Sequence, residues 1–125
     1  MALIEGRIVR MFYSKTGRRS AWDKTDVTSA GTVAIASSTL KQRETDLVFS
    51  ASSGATTVNI TEVDESVVGD VVNMHFTGSG GTHTITFGTN CVVNSTLAAA
   101  NGKTAIIQFK FNGTKYVELA RFVQA

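Results

Sequence analysis

Hydrophobic and polar positions alternate over short stretches of this chain, and residues typical of turns separate those stretches. From Gly31 onward the pattern predicts short strands at a spacing of about 8–12 residues, which is typical of a β-sandwich or barrel. The stretch 38–45 is predicted to form a single helical turn at most. The candidate strands are 32–36, 46–50, 57–61, 67–68 with 71–77, 82–87, 91–93, 104–111 and 114–123.

The last two candidate strands can be read as a hairpin. Asn112-Gly113 has the sequence of a type I′ turn, since both central residues of that turn need positive φ. The hairpin would then pair Phe111 with Thr114 and Phe109 with Tyr116, so this aromatic face is predicted to lie in the core. Its other face begins with two lysines and then becomes apolar. A subunit interface is predicted on that second face, at Ile106, Val117 and Leu119.

A second hairpin is predicted to turn through Gly78–Gly81 and to pair Phe76 with His83. One face of this hairpin would be apolar and the other rich in hydroxyl groups. A one-residue slip would exchange the two faces, so the sequence specifies the register well.

Composition supports the all-β interpretation. Thr, Val and Ser occupy 42 of the 125 positions, and Val and Thr fit a pleated sheet surface better than a helix. The length suits one domain. Sequence pattern and composition together predict an antiparallel β-sandwich or jelly-roll-like barrel that carries an extended N-terminal arm.

Charge is distributed unevenly and marks the arm. Residues 1–26 hold six basic and three acidic side chains, whereas the other 99 residues hold six basic and seven acidic ones. The chain is therefore divided into a docking arm, 1–30, and an antiparallel β domain, 31–125. Basic groups around apolar side chains are typical of a protein interface. The predicted docking residues are Arg7, Arg10, Met11, Phe12, Tyr13, Arg18, Arg19 and Trp22.

No pattern of residues predicts catalysis, a metal or a cofactor. The predicted register directs His75 and His83 to opposite faces, and Cys91 is most simply a small buried side chain. The acidic stretch from Glu62 to Asp70 lacks the spacing of a calcium loop and is predicted to be an exposed turn. No apolar stretch is long enough for a membrane helix, and no signal-peptide core precedes the domain. We therefore expect a non-enzymatic protein made inside a cell, with no cofactor, metal, specific nucleic acid or membrane partner.

The second half of the chain resembles β modules of tailed-bacteriophage virion proteins. Three stretches carry the resemblance: 67–76 with its Gly69-Asp70 turn, 82–90 with Thr84-Ile85-Thr86-Phe87, and the ending Phe109-Lys110-Phe111-Asn112-Gly113-Thr114-Lys115-Tyr116-Val117-Glu118. The resemblance covers about residues 31–125, and it includes no counterpart for residues 1–30. Such modules occur in head fibres, capsid decoration proteins and tail fibres.

The resemblance implies a structural or adhesive role, usually as a homotrimer, in the virion. We expect a capsid decoration or head-fibre protein that docks through its arm on the major capsid protein or another virion protein. The alternative is a tail-fibre module that binds a receptor or carbohydrate, such as a host-surface glycan. A small enzyme that uses Cys91 is the third hypothesis.

Overall fold

The structure, a computed structural model, describes residues 24–40 and 42–125. In these residues the chain forms ten strands in two sheets, with one 3-10 turn at Ser37–Thr39. The strands are β1 (Lys24–Val27), β2 (Thr32–Ile35), β3 (Glu44–Phe49), β4 (Thr56–Ile60), β5 (Val71–Thr77), β6 (His83–Phe87), β7 (Cys91–Val92), β8 (Leu97–Ala99), β9 (Thr104–Phe111) and β10 (Tyr116–Val123). The protein is thus all-β in its described part, as the sequence predicts.

The first six strands wind as a β-solenoid. A six-stranded sheet of order β1-β3-β5-β9-β10-β7 holds every odd-numbered strand and β10, and the other even-numbered strands form a four-stranded sheet of order β2-β4-β6-β8. Because each turn of the chain lies beside the previous one, β1, β3 and β5 are parallel, as are β2, β4 and β6. Antiparallel pairing appears only where β9 joins β5, β10 joins β9, and β8 joins β6. The predicted antiparallel pairing is therefore wrong where the first six strands pair with one another.

The predicted hairpin through Gly78–Gly81 is also wrong, because β5 and β6 lie in different sheets. Gly80 and Gly81 have positive φ values of 78° and 146°, and the chain uses them to pass from one sheet to the other. Gly78 lies at a corner where the coils stack, and it forms bridges with Ser52 and Asn101. A Cβ atom at Gly78 would overlap the backbone of Ala99 and Ala100.

The predicted C-terminal hairpin is present, but its register differs. Phe111 pairs with Tyr116 instead of Thr114, and the Asn112 N–H donates to the Lys115 carbonyl at 3.0 Å. The reason is the Asn112 side chain, whose Oδ1 accepts the backbone N–H groups of Thr114 and Lys115, each at 2.8 Å. This local bond moves the turn one residue along the chain. The aromatic face still lies in the core, as predicted, since the shift preserves the alternation.

The core between the sheets is held together by a series of aromatic contacts. The ring of Phe76 stacks on Phe49 with centroids 4.3 Å apart and meets Phe87 edge-on at 6.1 Å. Phe87 in turn meets Phe109 at 5.3 Å. Since Phe87 belongs to the four-stranded sheet and the other three to the six-stranded one, these contacts join the two sheets.

The described residues include seven from the predicted arm. Lys24–Val27 pair in parallel with β3, and the Ser29 N–H donates to Ser50 Oγ at 2.7 Å. Residues 24–30 are therefore attached to the β domain, while 1–23 lie outside the described residues. The division into arm and domain stays a prediction for that segment.

Candidate interaction surface

Strand β10 directs its charged side chains toward the interior of the protein. Glu118 pairs in register with buried Phe109, and Arg121 pairs with buried Ile107, so all four lie on the inner face of the sheet. The Arg121 guanidinium donates to both carboxylate oxygens of Glu118, at 2.6 and 2.9 Å. This hydrogen bonding from Arg121 lowers the pKa of Glu118. The two charges therefore satisfy each other on the inner face.

Arg121 also fixes the loop that covers the inner face of β10. Its guanidinium donates to the carbonyl oxygens of Thr96 at 2.9 Å and Ser95 at 3.1 Å. A side chain with five donors suits this role, since it can bind a carboxylate and two carbonyl groups together.

The outer face of β10 is apolar. Val117 pairs with Lys110 and Phe122 with Ile106, both on the outer face, and a bulge at Leu119 interrupts the register between Glu118 and Ala120. Leu119 and Phe122 remain 59% and 57% exposed, although large apolar side chains normally fill the core. We call Ile106, Val117, Leu119 and Phe122 the apolar β10 face. An exposed apolar face of this kind is a candidate interaction site.

One end of this face continues into a groove of about 590 Å³. Val68, Val117 and Leu119 line it, together with Lys110, Phe111, Asn112 and Glu118. Val68 belongs to the loop between β4 and β5, and it is 69% exposed beside Val67, which is 66% exposed. The loop therefore extends the apolar surface beyond the sheet.

Hydrogen bonds hold this loop in one arrangement. The buried carboxylate of Asp70 accepts the Val67 N–H at 2.9 Å, and the Ser66 hydroxyl lies 2.7 Å from the Tyr116 hydroxyl. The Gly69 N–H donates to the Phe111 carbonyl at 2.9 Å. The two exposed valines are thus presented by an ordered loop.

The same loop carries three exposed carboxylates, and we call Glu62, Asp64 and Glu65 the acidic loop. None of them forms an ion pair with a described residue. The sequence analysis predicts an exposed turn here, which is confirmed for these three residues. Asp70 is the exception, because the loop buries its carboxylate.

The outer face of the six-stranded sheet is polar on the side of β3 and β5. The Asn73 amide donates to Glu44 at 3.0 Å and to Asp46 at 2.8 Å, and its oxygen accepts the Gln108 amide at 2.9 Å. These bonds run across three adjacent strands and end beside the apolar β10 face. One sheet surface therefore has a hydrogen-bonded polar half and an apolar half.

The three residues predicted for a subunit interface lie together on this surface. Leu119 is exposed, and Ile106 and Val117 are partly exposed on adjacent strands. Their role in an interface stays a prediction. The sequence analysis missed Phe122, because the bulge changes the face to which the end of β10 points, and it missed Val67 and Val68, which it assigned to a strand. All eight predicted docking residues, from Arg7 to Trp22, lie outside the described residues.

The remaining reactive side chains are dispersed. Burial raises the pKa of the Cys91 thiol to about 11, so the thiol is protonated at neutral pH. His75 lies on β5 of the six-stranded sheet, 3.9 Å from Asp46. His83 lies on β6 of the four-stranded sheet, and its ring nitrogen is 2.7 Å from the Ser79 carbonyl oxygen. Among the described residues no group of three His, Cys, Asp or Glu side chains could hold a metal ion.

Comparison with known proteins gives no match: no family model, curated protein or solved structure matches the chain significantly. In the part of the chain that the structure describes, no helix is long and apolar enough to span a membrane.

Proposed function

We propose that this protein is a structural component of a bacteriophage virion, a capsid decoration or head-fibre protein with no enzymatic activity. The observation that carries the proposal is the apolar β10 face, where large apolar side chains point to solvent while a charged pair lies beneath them. A protein that acts by docking needs such a surface, and an enzyme would need convergent reactive groups instead. The resemblance of residues 31–125 to virion β modules supports the same role.

In this proposal the part of residues 1–30 that precedes β1 docks on the major capsid protein or another virion protein. Basic side chains around Met11, Phe12 and Tyr13 would surround a few buried apolar and aromatic anchors. The β domain faces outward and associates with other copies, as a homotrimer, through the apolar β10 face. We propose the short β-solenoid as the architecture that presents this face, in place of the sandwich or jelly-roll expected from the sequence.

The test is binding to purified particles of the phage whose genome encodes the chain. The full chain should co-sediment with these particles at a fixed copy number, and a variant that lacks residues 1–20 should stay folded but remain in the supernatant. Circular dichroism of the truncated chain serves as the folding control. Normal particle binding by the truncated chain would refute the docking role of the arm, and absence of the protein from virions would refute the whole proposal.

One observation favours the alternative of a receptor- or carbohydrate-binding tail module. Thr32, Thr57 and Thr86 lie in register across β2, β4 and β6, on the outer face of the four-stranded sheet. Such a row of hydroxyl groups could bind a host-surface glycan by hydrogen bonds. Specific glycan-array binding that Thr86→Val abolishes would favour this alternative over the decoration role.

A further inference from the structure

The groove beside Val68 and the acidic loop together form a surface that suits a partner with an apolar side chain and a positive charge. The groove needs an apolar or aromatic side chain, because Val68 and Leu119 are both more than half exposed around a volume of about 590 Å³. The acidic loop needs a cation, because its three carboxylates form no ion pair with a described residue. Since hydrogen bonds already hold the loop, a partner would bind without the entropy cost of ordering it.

The chain itself contains a segment with both properties. Residues 1–23 hold five basic and two acidic side chains, whereas residues 24–125 hold seven basic and eight acidic ones. Arg18 and Arg19 lie just before Trp22, the only Trp of the chain, and Trp22 lies two residues before β1 begins at Lys24. In the sequence, two cations and one large aromatic side chain therefore come shortly before the first strand of the β domain.

Sheet geometry decides which copy this segment can reach. β1 forms one edge of the six-stranded sheet in its described part, and β10 lies four strands away, which is about 19 Å at the usual strand spacing. Two residues of extended chain span only about 7 Å. The chain before β1 is therefore too short for Trp22 to reach the groove of its own copy, and the groove of another copy is the acceptor that remains.

We propose that Trp22 of one copy fills the groove of the next copy, and that Arg18 and Arg19 bind the acidic loop there. The donor segment and the acceptor groove lie near opposite edges of one sheet, so the contact is head-to-tail. Head-to-tail contacts form a ring where the rotation between copies closes, and the homotrimer of the proposed function is one such ring. The inference deepens the proposed function, because it rests on residues 1–30 being a docking segment, and it names a second copy as the partner of residues 18–22. Arg7 to Tyr13 remain free to bind the particle.

Sedimentation velocity of the full chain tests this contact by charge reversal. The wild-type chain should assemble at micromolar concentrations, and the double variant Arg18→Glu/Arg19→Glu should assemble about tenfold more weakly or worse. The matched control is Arg7→Glu/Arg10→Glu, which makes the same change of charge farther from β1 and should assemble normally. Leu119→Asp should also weaken assembly, whereas Ala34→Asp, at an exposed position of the other sheet, should not.

Mixing the variants shows whether the contact is between copies. The variant Glu62→Lys/Asp64→Lys/Glu65→Lys should fail to assemble alone, and so should Arg18→Glu/Arg19→Glu. Mixed together they should form mixed dimers and alternating chains, because each contact between unlike variants pairs opposite charges, whereas a closed trimer would hold one contact between like variants. Wild-type assembly by Arg18→Glu/Arg19→Glu, equal loss in the Arg7→Glu/Arg10→Glu control, no rescue on mixing, or a monomeric wild-type chain would each overturn the proposal.

Particle binding separates this inference from the proposed function. Substitution of Met11, Phe12 and Tyr13 by Ser should abolish particle binding and leave assembly in solution unchanged. If that variant loses particle binding while Arg18→Glu/Arg19→Glu assembles normally, the contact between copies is wrong and the docking role stands. If particle binding is absent in the wild type but the charge-reversal results hold, the virion role is wrong and the contact stands.

Discussion

At the scale of single residues, Glu118 and Arg121 allow β10 to present an apolar outer face. Their placement on the inner face would be costly if either were alone, because a charge removed from water needs a partner. Each supplies that partner to the other, and Arg121 also binds the covering loop. The inner face of β10 therefore holds a partly exposed, satisfied ion pair, while Leu119 and Phe122 point to solvent.

The pair predicts a particular response to acid. Hydrogen bonding from Arg121 lowers the pKa of Glu118 in the folded protein, so the pair stabilises the fold above the ordinary carboxyl pKa of about 4.3. That contribution is lost as the pH falls through the lower, folded-state pKa. The melting temperature of Glu118→Gln should therefore fall less between about pH 5 and pH 3 than that of the wild type, as measured by thermal denaturation. The matched control is Asp26→Asn, which removes an exposed carboxylate whose surface pair with Lys24 contributes little, and it should follow the wild type.

At the scale of elements, phenylalanine is a core residue in β5 and a surface residue in β10. Phe76 is fully buried and contacts one ring on the adjacent strand β3 and one on β6 of the facing sheet, whereas Phe122 is 57% exposed. A buried Phe loses its packing on truncation and leaves a cavity, whereas an exposed one loses little. The loss of stability on truncation of a Phe side chain should therefore depend on where the residue lies in the solenoid, and not on its type.

Phe76→Ala should lower the free energy of unfolding by about 3–5 kcal/mol, and Phe122→Ala by less than about 0.5 kcal/mol. Urea denaturation at a concentration where the chain is monomeric measures both without a contribution from assembly. If Phe76→Ala does not fold, Phe76→Leu should still fold and be destabilised by about 1 kcal/mol. Equal costs for Phe76→Ala and Phe122→Ala would contradict the placement of the two rings.

Local pattern predicted most elements but not their partners. Alternation at 71–77 and 104–111 located β5 and β9 at their observed limits, because a strand with one buried face must alternate. Lys24–Val27 and Leu97–Ala99 were missed because they are short, and one is mostly exposed. Alternation also placed the predicted interface residues Ile106 and Val117 on an outer face. The bulge at Leu119 could not be predicted, because it depends on contacts that no local pattern encodes.

At the scale of the whole molecule, the winding of the chain could not be predicted from alternation. A strand whose neighbour is parallel and one whose neighbour is antiparallel can show the same two-residue period. Gly78–Gly81 suits a tight hairpin and also suits a corner between two sheets. The choice between them depends on β3 lying beside β5, a contact between residues 44–48 and 71–75 that only the complete fold provides.

Charge separation along the chain makes salt a test of the whole assembly. The excess of basic groups lies before residue 24, and the acidic loop lies in the β domain, so a contact between copies brings opposite charges together. Raising sodium chloride from 0.1 to 1 M shortens the screening distance from about 10 to about 3 Å, whereas contact between apolar side chains does not depend on screening. Assembly of the wild-type chain, followed by sedimentation velocity, should therefore weaken as salt is added.

The charge-reversal variant Arg18→Glu/Arg19→Glu is the internal control for this measurement. Its residual assembly should gain slightly from salt, because screening reduces the repulsion between the new glutamates and the acidic loop. The two salt dependences should thus have opposite signs. If wild-type assembly instead strengthens with salt, the apolar β10 face alone holds the copies together, and Arg18 and Arg19 have another partner.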